Sequence, residues 1–164
     1  MNHKQIRALI KDTLQKMGMW SQEAEELVFL TGMVESGYDY IYQIGSGIAR
    51  SFWQVESATA KDCIDNYLKF RKKKLEKVSD VMNVDPDKLL KMSDEELKNL
   101  LWGNMVAGIV FCRIKYWRVP KKIPFDLEGM AGYWKAYYNT EGGAGTVSHF
   151  LEKADIGLQR MQTL

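Results

Sequence analysis

The chain has 164 residues, 46% of them hydrophobic and 27% charged, with a formal net charge of +2. That is ordinary globular composition, in a length that buries a sizeable single core without staples, so one domain over 1–164 is the default. The small charge excess gives no strong footprint for nucleic acid, and none is expected as a partner. The cysteines, Cys63 and Cys112, lie in apolar helical patterns and read as reduced core residues. With His3 and His149 near opposite ends of the chain, no metal cluster is credible, and no cofactor is expected.

The first stretch, "MNHKQIRALIKDTLQKMGM", is positively charged but has no continuous apolar segment, so it does not read as a secretory signal. Ile6, Leu9, Ile10, Thr13, Leu14 and Met17 recur at helical spacing, which predicts an amphipathic helix within 1–20, packed on the domain. Ser21, with Glu23, Glu25 and Glu26 behind it, caps a helix over 22–36 whose inward stripe is Ala24, Leu27, Val28, Thr31 and Val34. Gly37, Gly45 and Gly47 then punctuate a turn-rich segment. "RSFWQVE" reads as a short strand with Phe52, Gln54 and Glu56 on one face.

Thr59, with Asp62 three residues on, starts a long helix reaching Met82. Asp85 and Pro86 open a short helix. Ser93 and Glu96 form a capping box for a helix that runs to Trp117. Its run "LLWGNMVAGIVFCRI" makes it the most apolar helix and a central one, but the run is too short to span a bilayer. "VPKKIPFD" is a linker, Asp126 caps a helix to Tyr138, "NTEGGAGT" is a glycine loop, and a last helix starts near Val147. The fold class is therefore mainly α: a compact helical domain with a small β or turn-rich excursion near residues 38–56.

Glu35 lies one turn after Thr31 and two turns after Val28, on the inward face of its helix. Partial desolvation there raises a carboxyl pKa, as a general acid near neutral pH requires. A helix-terminal glutamate that bends out to water is the bland alternative. Gln54 and Glu56 would line a cleft opposite Glu35 if the strand folds back, although Glu56 also suits the start of the next helix as a favourable charge.

"VESG", a glycine-bearing loop and "FWQVESATA" together resemble the lysozyme-like domain of lytic transglycosylases and goose-type lysozymes. Glu35 and Ser36 match that family's E-S pair, Gln54 its glutamine, and Ala58-Thr59-Ala60 its A-T-A helix start. Asn104, Met105 and Gly108 fit its N-[IM]-x-x-G motif, and Tyr138 and Asn139 its Y-N pair. The matches fall in the family's order over about residues 27 to 150. Ser51-Phe52-Trp53 departs from the family's G-L-M, Ser57 from its proline and Glu56 from its apolar residue, and one extra residue precedes the glycines after Asn139. The ending "YYNT…GAGT" is similar to small phage-encoded members.

The resemblance implies an α+β lysozyme-like fold and a peptidoglycan glycosidase. Glu35 would protonate the bond between N-acetylmuramic acid and N-acetylglucosamine, then act as base toward the muramic 6-hydroxyl or a water. Ser36 would orient Glu35, while Gln54, Tyr138 and Asn139 would line the substrate site, with Tyr138 bonding near the carboxylate. Glu56, a departure from the family, would join the substrate site by its own position and could supply a water-activating base. A phage setting implies either a host-cytoplasmic endolysin released by a membrane pore or a virion-borne enzyme. Two other readings stay open. One is an inactive lysozyme-like phage structural or saccharide-binding protein. The other is a basic helical nucleic-acid module built on "FRKKKLEK" and "KYWRVPKK", stretches that read more simply as solvated faces. Oligomeric state is not legible.

Overall fold

The computed structural model describes residues 1–45, 47–140 and 143–162. Ser46, in the expected turn-rich excursion, and Glu141 and Gly142, in the expected glycine loop, lie outside the described residues. Helices start where a side chain can take up an orphan backbone N–H. Asn2 caps α1 (His3–Lys16) and Ser21 caps α2 (Gln22–Ser36). After α3 (Ser57–Asn66) and α4 (Lys72–Met82), Asp85 caps α5 (Pro86–Lys91). Ser93 and Glu96 close the expected capping box on α6 (Asp94–Gly103). Asn104 caps α7 (Met105–Trp117) and Asp126 caps α8 (Leu127–Trp134). A wide π turn follows over Lys135–Asn139, then α9 (Val147–Gln162).

Two expected long helices are broken. Asn104 turns its side chain onto Ala107 N–H and its amide onto Met82 O, which ends α6 and restarts the chain as α7. The helix expected from Thr59 to Met82 begins at Ser57 instead and breaks around the 3-10 turn Leu68–Phe70. Asp62 does not cap it; its carboxylate takes Asn66 and Arg118.

The α+β expectation is also corrected. Among the described residues the segment 38–56 holds isolated bridges, Tyr42 with Arg50 and Arg50 with Val55, and no strand. Ser51 and Gln54 both have positive φ (66° and 49°), so residues 51–54 form a tight turn closed by Gln54 N–H on Ser51 O. A left-handed residue cannot continue a pleat, so Phe52, Gln54 and Glu56 do not share a strand face.

The core centres on α2 and α7. Leu27 through Val34 of α2 and Ala107 through Ile114 of α7 are buried, on every side of both helices. Apolarity all round a helix of this length means neighbours all round: α2 packs against α1, α7, α8 and α9, and α7 against α1, α3, α4 and α6. Within the pair, the hydroxyls of Thr31 and Tyr116 bond each other at 2.8 Å. Helix α1 packs on this centre, tied by Arg7 to Glu25 (2.9 Å) and Glu26 (2.8 Å). Cys63 and Cys112 are free and buried, and burial pushes the Cys63 thiol up to about 11. Among the described residues no helix is long and apolar enough to cross a membrane.

Candidate functional site

The last turn of α2 carries Glu35. The helix stops at Gly37, which takes the left-handed conformation (φ 63°) and donates its N–H to Met33 O. Ser36 braces this stop: its hydroxyl donates to Gly32 O and accepts from Tyr38 N–H. Ser36 therefore fixes the helix end and does not bond the Glu35 carboxylate, contrary to the expectation that it orients it. Tyr40 adds a second brace through its hydroxyl on Glu35 O, at 2.8 Å.

The Glu35 side chain enters a cleft of about 590 Å³. The cleft brings together the expected site residues Gln54, Glu56, Tyr138 and Asn139 with Glu35, and leaves out Ser36. Burial raises the Glu35 pKa above the usual carboxylate range, opposed by a hydrogen bond from Trp134 and by the charge of Lys115. The indole N–H of Trp134 meets Oε1 at 2.9 Å. Oε2 has no hydrogen-bond partner among the described residues, so it is free to meet a ligand.

The other expected residues have definite local tasks. Gln54 sits at the end of the tight turn, its side-chain amide donating to Ser51 O at 2.8 Å. Glu56 is exposed at the N-cap position of α3 with no side-chain cap bond, so it lines the cleft with its carboxylate uncommitted. Tyr138 is buried, stacks on Tyr116 with ring centres 5.2 Å apart, and donates its hydroxyl to Trp53 O at 2.7 Å. Its expected bond near the Glu35 carboxylate is thus corrected: the phenol holds the 51–54 turn in place. Burial keeps that phenol well above its usual pKa and therefore a donor. Asn139 accepts a hydrogen bond from Lys135 at 2.8 Å.

Among the cleft residues that the sequence did not single out are Trp134, Lys115 and His149. Trp134 lies one turn before Tyr138 on an apolar helix, where a core role is the default. Lys115 belonged to a basic stretch read as solvated, yet it is half-buried and donates to Tyr138 O at 2.7 Å. His149 reaches the cleft because the hydroxyl of Thr146 accepts its backbone N–H and sets the first turn of α9. Among the described residues no group of three or more His, Cys, Asp or Glu is placed to hold a metal ion. Comparison with protein-family models, with curated proteins and with solved structures gives no match.

The Trp134 bond makes a direct prediction. Trp134→Phe keeps an aromatic ring and removes the N–H that favours the ionised carboxylate, so the Glu35 pKa should rise further. Carbon-13 NMR titration of the Glu35 carboxyl in both proteins measures this. A midpoint that stays put or falls would contradict the assignment.

Proposed function

We propose that the protein is a glycosidase of the lysozyme-like superfamily that cleaves the β-1,4 bond between N-acetylmuramic acid and N-acetylglucosamine in peptidoglycan. The observation that carries this reading is Glu35: a half-buried carboxyl with a raised pKa, one oxygen held by Trp134 and the other open to the cleft. Such a group stays protonated to higher pH than an exposed glutamate, and so can deliver a proton to a glycosidic oxygen as the bond breaks. The substrate's own acetamido oxygen stabilises the developing sugar cation. Glu35, now a carboxylate, takes a proton from the muramic 6-hydroxyl or from water. Trp134 stabilises that ionised form by its N–H, and Lys115 by its charge.

Mass spectrometry of peptidoglycan digested with the protein tests the reading. Anhydro-muropeptides make it a lytic transglycosylase, reducing ends heavier by one water make it a lysozyme, and intact strands reject the proposal. A phage setting fits this chemistry: release through a membrane pore, or carriage in the particle, would bring the enzyme to the wall.

Glu56 favours a second version of the same reaction, because its uncommitted carboxylate lines the same cleft and can activate water. Glu56 is exposed, however, and no hydrogen bond among the described residues aims its carboxylate, so we expect Glu56→Gln to slow cleavage by about tenfold or less, against the 10²–10⁴-fold typical of a committed general base. Rates on purified strands check this. A loss as deep as that of Glu35→Gln would make Glu56 a catalytic residue and the reaction hydrolysis.

A further inference from the structure

Lys115 stands where two hollows meet. The cleft that holds Glu35 and a neighbouring hollow of about 440 Å³ share Thr59 and Lys115 in their walls. An ammonium has three N–H donors. One goes to Tyr138 O at 2.7 Å, and the nitrogen lies 4.3 Å from the centre of the Tyr138 ring. Among the described residues the other two donors meet no acceptor, and Lys115 forms no ion pair. Burial lowers its pKa, while the charges of Glu35 and Glu56 at a distance work the other way.

The second hollow has two other charged walls, Asp62 and Arg118, and these are paired with each other at 2.5 Å. Among the described residues of this wall, Lys115 is therefore the charged side chain that makes no ion pair. A half-buried cation with open donors, at the mouth of a hollow joined to a cleft, suits an anionic group on a ligand that spans both. With Asp62 and Arg118 paired, the wall is left with the single positive charge of Lys115, which matches a singly charged carboxylate better than a phosphate dianion.

We infer that the second hollow is a subsite for an acidic peptide substituent on the glycan, with Lys115 binding its carboxylate. This rests on the glycosidase reading and deepens it: the enzyme selects strands whose sugars carry free acid groups over bare or esterified strands. Lys115 then sets specificity, in addition to the effect of its charge on Glu35.

The test compares wild type, Lys115→Met and Lys115→Arg on three substrates: strands with native peptide stems, the same strands with carboxyls methyl-esterified, and peptide-free strands. Lys115→Met should raise KM on native strands about tenfold or more, the scale of one charge-assisted hydrogen bond. It should change KM on esterified strands far less, and Lys115→Arg should keep the preference for native strands. Changes in kcat common to all three substrates report the effect on Glu35 and are read separately. Thermal melting shows which variants fold, and should Lys115→Met fail, wild-type discrimination between native and esterified strands decides alone. Equal KM on both strands in wild type overturns the subsite while leaving the glycosidase reading intact. No cleavage of any strand by wild type overturns both.

Discussion

Replacing Glu35 with Gln is expected to abolish wall cleavage, by roughly 10³-fold or more, while the fold stays intact. Gln keeps the size of the side chain and an oxygen that can accept the Trp134 N–H. What it loses is the proton to give and the charge to take one back. Stability supplies an independent check with a definite sign. Burial raises the Glu35 pKa in the folded protein above its unfolded value, so folding is penalised wherever the group is ionised. The penalty is absent below the unfolded pKa, grows as pH rises towards the folded pKa, and is full above it. Glu35→Gln removes it, so at neutral pH the variant should melt at or above the wild-type temperature. Below about pH 4 that advantage should vanish, because the glutamate is then protonated in both states. Turbidity loss of cell-wall suspensions and melting curves at two pH values measure both effects. Full activity in Glu35→Gln would sink the mechanism.

The largest loss of stability is expected from Trp53→Ala. Trp53 is fully buried, and its indole N–H donates to Val28 O in α2 at 2.8 Å. Its ring meets Tyr38 and Phe52, and its carbonyl receives the Tyr138 hydroxyl. It also lies where α7 comes closest: a Cβ on Gly108 would stand 2.8 Å from the Trp53 ring and 2.7 Å from Ser51 Cβ, so only glycine fits there. Truncation therefore leaves a cavity among α2, α7 and the π turn, and removes a hydrogen bond. A cost of about 3–5 kcal/mol is expected for such a deletion. Trp53→Phe fills much of the space and should cost clearly less. Chemical denaturation of the two variants tests the order. Equal stability of Trp53→Ala and wild type would mean that the residue does not knit these elements.

Capped helices were the most legible part of the fold. Ser21, Asp85, Ser93 with Glu96, and Asp126 open helices where their side chains meet backbone N–H groups, and this local chemistry is written in neighbouring residues. The break at Asn104 was hidden because apolar residues flank it on both sides; the asparagine caps α7 by accepting the Ala107 N–H, and a distant partner, Met82 O, anchors its amide. The 51–54 turn was misread for a related reason. "RSFWQVE" is rich in strand-forming aromatic and branched residues, but in the fold Ser51 and Trp53 pack closely on Gly108 of α7, and Ser51 and Gln54 take positive φ. Glu35 could be singled out from its helix face, Glu56 from its place opposite Glu35 on the expected excursion, and Gln54, Tyr138 and Asn139 through resemblance; the cleft gathers all five. Trp134 and Lys115 could not, because an apolar tryptophan and a lysine in a basic stretch look like core and surface until tertiary packing turns them toward one carboxylate.

The wide turn at Lys135–Asn139 explains how the chain absorbs a residue that a regular helix has no room for. Thr140 N–H reaches back to Lys135 O, five residues, where an α-helix would reach four. Each residue of an α-helix turns the chain by roughly 100°, so one surplus residue would aim everything after it in a different direction. Confining the surplus to a single widened loop of backbone keeps Trp134 before it on Glu35 and Tyr138 within it on Trp53. A helical pattern laid along this segment without a gap slips by one position within Lys135–Asn139, and residues on either side of the slip are related by place in space, not by count along the chain.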